Sequence, residues 1–144
     1  MTRIVLDQVN LVVDDMAATA AFYRQLGLEI DVGPMPEWEP HHVTARTDGA
    51  DGADVDIDSA AFASVWNTGS KGAGVVLGFR VESRDAVDEL YERMLAAGHE
   101  GQQEPYDAFW GARYALITDP SGNPVGLMSP VDPERRTPVP RPPS

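Results

Sequence analysis

Three aspartates at alternate positions are the residues of this 144-residue chain whose spacing points most directly to chemistry. Asp54, Asp56 and Asp58 are separated by Val55 and Ile57. Because a β-strand directs alternate side chains to opposite faces, a strand here places the three carboxylates on one face. Carboxylates in a cleft can attract a cation, ligate a metal ion or transfer a proton. What they do depends on the groups that face them.

The polar groups predicted to share this face belong to two other strands. Gln8 and Asn10 alternate with apolar residues in one, and His42 and Arg46 do so in another. His42 with Gln8 and Asp58 is a conceivable set of metal ligands or of acid–base groups. A lone histidine on a sheet, however, ordinarily acts as a simple hydrogen-bonding residue. The sequence leaves both interpretations open.

Aromatic residues form a second set with a possible binding role. Tyr106, Phe109 and Trp110 precede a predicted strand. Flat, rigid rings in loops at the rim of a cleft are suited to stacking on a planar ligand, so this set predicts a lid. Phe62 and Trp66 lie four residues apart, a spacing typical of a helical turn that packs into the core.

The elements that position these residues are organised as a repeat. An offset of 68 residues places Val13 on Val81 and Tyr23 on Tyr91. The matches fall at corresponding points of one pattern, namely strand, acidic turn, helix and glycine stop. The sequence therefore predicts two copies of one module.

The first helix is predicted over Met16–Leu26. Asp14 or Asp15 can accept the free amide hydrogens at its start. Phe22 and Tyr23 belong to its predicted apolar side, which we expect to be buried. Gly27, which follows, is the predicted stop.

The second helix repeats this arrangement, with Ser83 or Asp85 at its start and Gly98 as its stop. Three short strands are predicted after each helix, so each copy reads as one strand, one helix and three strands. These strands are predicted at 28–32, 42–47 and 54–58 in the first copy and at 101–104, 112–118 and 124–128 in the second.

Composition limits the possible partners. The chain carries 11 Lys and Arg against 23 Asp and Glu, a net charge of −12, which argues against nucleic acid and anionic membrane surfaces. This charge suits a neutral or cationic small molecule, although solubility alone also explains it. There is no cysteine for disulfides or thiolate metal sites. With no apolar run long enough for a membrane span and no export signal, we expect a cytoplasmic protein.

Proline marks the expected end of the folded part. Residues 130–144 hold six of the 12 prolines, and such a segment can form neither a sheet strand nor a helix. We expect a single domain over residues 1–129, with modules at about 3–66 and 74–129. Residues 130–144 are expected to be a flexible tail.

Three segments are similar to those of one known family. They are VDDMAATAAFYRQLGLE at 13–29, WGARY at 110–114 and DPSGN at 119–123. Together they resemble the vicinal oxygen chelate superfamily, which includes glyoxalase I, bleomycin resistance proteins and extradiol dioxygenases, over residues 3–130. The resemblance implies an α+β fold in which two βαβββ modules pair curved mixed sheets around a cleft. It also implies dimerisation, so we expect a homodimer.

The same resemblance implies a metal site with one ligand on the first and one on the last strand of each module. Those positions carry over to Gln8, to Asp56 or Asp58, to Val76 and to Gly126. Valine and glycine offer no donor, whereas a catalytic divalent site ordinarily has at least three protein ligands. We therefore expect no metal ion and no other cofactor.

The resulting prediction is a metal-free small-molecule-binding protein of the glyoxalase/bleomycin resistance type. It would hold a planar or cationic ligand in the cleft, as in antibiotic sequestration. The alternative is a metal-dependent lyase, isomerase or dioxygenase of the same superfamily, because that superfamily includes both classes. The arginines either pair with the aspartates or hold an anionic group of the ligand. The predicted ligand-binding residues are Gln8, Asn10, His42, Arg46, Asp56, Asp58, Arg80, Tyr106, Phe109, Trp110 and Arg113.

Overall fold

The computed structural model describes residues 4–26, 28–31, 41–46, 53–70 and 74–140, and the side chains of Leu26 and Arg46 lie outside the description. The predicted helix stop at Gly27 is likewise outside it. In chain order the elements are β1 (Ile4–Val13), α1 (Met16–Leu26), β2 (Glu29–Asp31), β3 (His42–Arg46), β4 (Asp54–Ser59), α2 (Ala60–Trp66), β5 (Gly74–Val81), α3 (Arg84–Ala96), β6 (Glu100–Asp107), β7 (Arg113–Thr118) and β8 (Pro124–Met128).

The strands form one eight-stranded mixed sheet in the order β2-β3-β4-β1-β5-β8-β7-β6. Module one contributes β1 to β4 and α1, and module two contributes β5 to β8 and α3. Within each module the first and last strands pair in parallel, and the modules join through the antiparallel pair of β1 and β5. The predicted α+β fold with two βαβββ modules is confirmed.

The pairing of β1 with β5 shows how the two copies are related. Val9 lies directly opposite Leu77, and these two residues are separated by the 68-residue offset of the repeat. Equivalent residues can face each other only if a twofold axis passes between them. The modules are therefore related by a pseudo-twofold axis at the centre of the sheet.

The helix starts follow the predicted capping residues. Asp15 Oδ1 accepts a hydrogen bond from the backbone N–H of Ala18 at 2.9 Å, and Ser83 Oγ accepts one from that of Ala86 at 3.0 Å. Each bond satisfies one amide that the first helical turn leaves free. Gly98 follows the second helix with a φ of +96°, a conformation that favours glycine.

On one face of the sheet, each helix covers mainly the outer strands of its own module, and α3 also covers the end of β5 at Val81. The apolar cluster of module one includes Val43, Ala45 and Ile57, and that of module two includes Val81 and Leu127. Both helices leave the centre of this face open. The apolar residues that remain exposed there are Ile4 (51%), Leu6 (45%), Val75 (51%) and Leu77 (41%).

One expectation about burial is wrong. Phe22 is 59% exposed, whereas the adjacent Tyr23 packs into the cluster of module one. Consecutive residues on a helix point about 100° apart, so the buried stripe of α1 includes Tyr23 and leaves Phe22 beside it.

The other face of the sheet carries α2. Phe62 and Trp66 are both 4% exposed and pack with Val12, Val76 and Leu116. Ser59 begins this helix by accepting a hydrogen bond from the N–H of Phe62 at 3.1 Å. The predicted helical plug is confirmed, and it forms the back of the cleft.

Residues 130–140 form no strand and no helix beyond one 3₁₀ turn at Pro133–Arg135, in agreement with their proline content. They nevertheless contact the body. The N–H of Asp132 donates to the carbonyl of Gly111 at 2.9 Å, and that of Thr137 donates to the carbonyl of Phe109 at 3.0 Å. Val139 packs against the cluster around α2. These contacts attach the segment to the loop between β6 and β7.

Within the described part of the chain, no helix has the length and apolar character needed to cross a membrane.

Candidate functional site

A cavity of about 290 Å³ lies on the α2 face of the sheet. One wall comes from β1, β3 and β4 of module one, and the opposite wall comes from β7, β8 and the loop before β7. Seven of the predicted ligand-binding residues come together in its lining. They are Gln8, Asn10, His42, Asp56, Asp58, Phe109 and Trp110.

The wall of module one is built on a chain of hydrogen bonds. His42 Nδ1 contacts Asp58 Oδ1 closely, and Asn10 Nδ2 donates to Asp58 Oδ2 at 3.1 Å. Gln8 Nε2 donates in turn to Asn10 Oδ1 at 3.0 Å. Both oxygens of Asp58 have partners. Asp58 is fully buried, so water could not replace these partners. The chain fixes the ring of His42 in the cavity wall.

The orientation of His42 decides which of its nitrogens meets a ligand. Nδ1 faces Asp58, so Nε2 is the nitrogen left for a ligand, and no described residue bonds to it. The ring also lies against Phe62, with centroids 4.9 Å apart.

The carboxylates of this wall shift the pKa of the groups around them. Burial alone lowers the pKa of His42, but the hydrogen bond with Asp58 and the charges of Asp58 and Asp56 outweigh it, and the pKa rises above 6.5. Burial, followed by the charge of Asp58, raises the pKa of Asp56 to about 6. Thr44 Oγ1 donates to Asp56 at 2.9 Å. The wall therefore contains two groups whose pKa values lie above their ordinary values.

A bulge in β1 adds a third acidic group. The pairing register with β5 shifts between Leu6 and Gln8, and Asp7 lines the cavity as a result. Arg80 Nη1 donates to Asp7 Oδ1 at 2.7 Å, with the arginine side chain 46% exposed. Burial raises the pKa of Asp7, although the charge of Arg80 opposes this. Arg80 therefore lies outside the lining and pairs with Asp7 rather than with β4.

The wall of module two is aromatic. The rings of Trp110 and Tyr114 lie 5.4 Å apart, and those of Phe109 and Trp110 lie 5.2 Å apart, both edge to face. Phe109 also meets Phe62 edge to face, at 6.4 Å. Trp110 Nε1 donates to Met128 Sδ at 3.3 Å, which fixes the indole ring. These contacts make a continuous set of rings from the back of the cavity to its rim.

Two further residues predicted to bind the ligand lie elsewhere. Arg113 points to the opposite face of the sheet, where Nε donates to Asp88 of α3 at 2.9 Å, because Tyr114 takes the cleft side of β7. Tyr106 packs beside the cavity, and its hydroxyl donates to the carbonyl of Trp66 at 2.9 Å. Arg46 ends β3, and its side chain lies outside the described part.

The lining also includes residues that the sequence analysis did not assign to the site. Strand alternation gives a signal for Tyr114. Ala115 and Ile117 face the helix side of β7, so Tyr114, between Arg113 and Ala115, faces the cleft. The bulge at Asp7 leaves no comparable signal, because bulges do not follow strand periodicity. The unassigned lining residues are Asp7, Phe62, Trp66, Tyr114, Met128 and Val131.

The four positions at which the resemblance implies metal ligands do not fit a divalent ion. An ideal Cβ at Gly126 would lie 2.5 Å from Tyr114 Oη, so the tyrosine hydroxyl fills the space of a ligand side chain. Val76 is apolar and 4% exposed. Asp58 is committed to His42 and Asn10. Among the described residues, no group of three or more His, Cys, Asp and Glu could hold a metal ion.

Comparison with protein families identifies one match. The Glyoxalase/Bleomycin resistance protein/Dioxygenase superfamily matches residues 5–127. No curated protein sequence matches the chain at a significant level.

Solved structures share the fold at low sequence identity. The Mn(II)-bound glyoxalase from Novosphingobium aromaticivorans is 22% identical, with a TM-score of 0.65 over 98% of this chain and 44% of that chain. Methylmalonyl-CoA epimerase from Mycobacterium tuberculosis is 20% identical, with a TM-score of 0.61 over 88% of both chains. An extradiol ring-cleaving dioxygenase from B. fuscum is 19% identical, with a TM-score of 0.61 over 88% of this chain and 32% of that chain. This chain thus spans less than half of the glyoxalase and about a third of the dioxygenase.

Proposed function

We propose that this chain, which belongs to the Glyoxalase/Bleomycin resistance protein/Dioxygenase superfamily, binds a planar, cationic small molecule in its cleft without a metal ion. The observation that carries the proposal is a single cavity with three aspartates on one wall and edge-to-face aromatic rings on the other. The biological role we propose is sequestration of such a compound, a cationic antibiotic being one example, in the cytoplasm.

The acids of module one support a cationic ligand. Asp7, Asp56 and Asp58 line the cavity, and among the described residues no lysine or arginine does. Arg80, which pairs with Asp7, lies outside the lining. Charges on low-dielectric walls focus their field on the cavity, and the net charge of −12 adds to it. A positively charged N–H group is the natural partner of this wall.

The rings of module two support a planar ligand. Phe109 and Trp110 are partly exposed, so a ligand can cover area that the protein leaves open. Aromatic contact supplies most of the affinity in sites of this kind, and a few polar groups set the orientation. A cavity of about 290 Å³ matches a molecule of about two fused rings rather than a large natural product.

Matched bicyclic probes test the proposal. We expect 4-aminoquinoline, a flat cation at neutral pH, to quench tryptophan fluorescence and bind at least tenfold more tightly than neutral 1-aminonaphthalene. Anionic 1-naphthoate should bind most weakly, because its charge has the sign of the wall. Equal binding of the three probes, or binding of none, would overturn the proposal.

Two variants assign the binding to the cleft. Trp110→Ala removes a partly exposed ring and should weaken 4-aminoquinoline binding by about tenfold. Asp56→Asn should reduce the preference for the cation over the neutral probe. Asp54→Asn is the matched control, because Asp54 lies on the same strand but is exposed and outside the lining. If Asp54→Asn and Asp56→Asn have the same effect, the preference reflects net charge alone.

The absence of a metal requirement has its own test. Elemental analysis of the purified protein, together with titration of Mn²⁺ and Zn²⁺, should show no stoichiometric ion. One tightly bound ion per chain would favour the metal-dependent lyase, isomerase or dioxygenase instead.

We further propose that the chain forms a homodimer. The exposed apolar strip at the centre of the helix-covered face supports this, because monomers rarely leave such a strip in water. Light scattering should give twice the mass of 15.6 kDa at micromolar concentration. Leu6→Lys with Leu77→Lys should give a monomer if the strip is the interface. A monomeric wild type would reject the proposal.

A further inference from the structure

The hydroxyl of Tyr114 is a polar group that the proposed cation site does not use. Tyr114 is 3% exposed and lines the cavity from the wall of module two. Within the described residues, no group hydrogen-bonds to its Oη. Protein atoms do not fully enclose Oη, so it is open to the cavity.

A hydroxyl that bonds to no described group and opens only into the cavity is available to a ligand there, and a ligand that covers it should replace its hydration with a hydrogen bond. The tyrosine ring is held firmly in place. Trp110 and Trp66 pack against it edge to face, with centroids at 5.4 and 6.1 Å, and Tyr106 does the same at 6.1 Å. The hydroxyl therefore cannot swing away to find another partner.

The space for this hydroxyl depends on a glycine in the next strand. Any side chain at Gly126 would begin 2.5 Å from Oη and 3.0 Å from the ring carbon that bears it. Gly126 lies on β8, directly opposite Leu116 of β7, and is buried. Because Gly126 has no side chain, the hydroxyl of Tyr114 fits beside β8. This arrangement has the geometry of a binding subsite.

The hydroxyl stays protonated under ordinary conditions. Burial, with smaller contributions from the charges of Tyr106, Asp58 and Asp56, raises the pKa of Tyr114 well above 10. A neutral phenol in this position donates a hydrogen bond without adding charge. It can therefore recognise an acceptor on the ligand while the opposite wall recognises a positive N–H group.

We propose that Tyr114 forms a hydrogen-bonding subsite for an acceptor, such as a carbonyl oxygen, on the side of the ligand away from its positive nitrogen. This rests on the proposed function, because it specifies the chemistry of the molecule that the cleft holds. The ligand class is then a flat cation that carries an acceptor. Asp56 lies on the N–H side of the ligand, and Tyr114 lies on the acceptor side.

Three related probes and three variants test this subsite. The probes are 4-aminoquinoline and its 6-acetyl and 7-acetyl derivatives, which place a carbonyl at two positions on the far ring. We expect at least one acetyl derivative to bind about tenfold more tightly than the parent, the effect of one buried hydrogen bond. Tyr114→Phe, which keeps the ring and removes the hydroxyl, should abolish this advantage, so that the acetyl derivatives bind no more tightly than the parent.

Tyr106→Phe is the matched control. It also removes one tyrosine hydroxyl from this cluster, but that hydroxyl donates to the carbonyl of Trp66 and lies outside the lining. We expect Tyr106→Phe to keep the acetyl advantage. Gly126→Ala, which displaces the hydroxyl without removing it, should lose the advantage as Tyr114→Phe does. Circular dichroism and melting of each variant separate loss of the subsite from loss of the fold.

The outcomes separate this inference from the proposed function. If the parent binds but neither acetyl derivative gains, or if Tyr114→Phe retains the gain, the subsite is overturned while the cation site stands. If none of the three probes binds the wild type, both are overturned.

Discussion

β4 and β8 occupy equivalent places in the two modules, yet they present opposite chemistry to the cleft. Asn10 of β1 pairs with Asp56 of β4, and the residues at the equivalent points of module two are Gly78 and Gly126. Two residues further along these strands, Asp58 of β4 corresponds to Met128 of β8. Module one thus supplies carboxylates held by hydrogen bonds, and module two supplies space, sulfur and aromatic rings.

This contrast shows that one backbone can build two kinds of wall. The polar wall depends on partners, because each buried carboxylate needs a hydrogen bond to offset its lost hydration. The aromatic wall depends on contact area and shape. A ligand between two unlike walls can bind in only one orientation, whereas two identical walls would allow two.

Substitutions in the aromatic wall should destabilise the protein mainly through lost packing. Trp66→Ala should lower the free energy of unfolding by about 3 to 5 kcal/mol, since it removes a 4% exposed ring and leaves a cavity beside Tyr114. Phe22→Ala should cost about 1 kcal/mol or less, because that ring is 59% exposed. Urea denaturation of both variants checks the difference. Similar losses would mean that Phe22 is buried by a partner.

Substitutions in the polar wall should destabilise the protein mainly through lost charge interactions. His42→Ala leaves Asp58 buried without its ion-pair partner and should cost about 3 kcal/mol near pH 6. The pKa of His42 is raised on folding, so its contribution is fully present below pH 6.5 and is lost as the pH rises through the folded value. The loss should therefore be smaller at pH 9 than at pH 6.

Denaturation curves at both pH values check this prediction, with His99→Ala as the control because His99 is exposed. An equal loss at pH 6 and pH 9 would show that the pair contributes packing rather than charge.

Residues 130–144 can be removed to test how much they stabilise the aromatic wall. Deleting residues 130–144 loses the backbone hydrogen bonds to Gly111 and Phe109 and the packing of Val139. We expect a loss of about 2 kcal/mol, seen as a fall of several degrees in Tm, and weaker binding of 4-aminoquinoline. Composition alone predicts almost no change, and that result would show that the segment moves freely.

The smallest expected effect is a gain in stability. Asp56 has a pKa of about 6 in the fold and 3.8 as the ordinary value, so the folded protein becomes less stable as the pH rises between them. Asn does not titrate. Asp56→Asn should therefore stabilise the protein by about 1 to 2 kcal/mol above pH 7 and by almost nothing below pH 4. Thermal melts at pH 4 and pH 8 check this, and destabilisation at pH 8 would contradict it.

The sequence predicted most of the fold because local signals set it. The helices begin at Asp15 and Ser83 as their capping side chains require. Strand periodicity placed Gln8, Asn10, His42, Asp56 and Asp58 on one face, and the structure brings all five into one cavity. That these residues bind a ligand stays a prediction.

The parts that could not be predicted depend on contacts between distant elements. Arg113 looked available for the cleft, but the alternation of β7 turns it towards Asp88. Phe22 looked like part of a core because a helix pattern shows which residues are apolar and not how far the sheet beneath them extends. The alternation of β7 indicates the cleft side for Tyr114, but the space for its hydroxyl became visible only when the pairing of β7 with β8 placed Gly126 beside it.

The pairing of Val9 with Leu77 bears on how far the two walls can differ. If two separate, identical modules met along this edge, one gene would encode both, and every substitution would appear on both walls at once. In this chain each wall has its own codons, so an aspartate stands at position 58 while a methionine stands at position 128. A dimer of identical modules could not combine an acidic wall with an aromatic wall in one cleft.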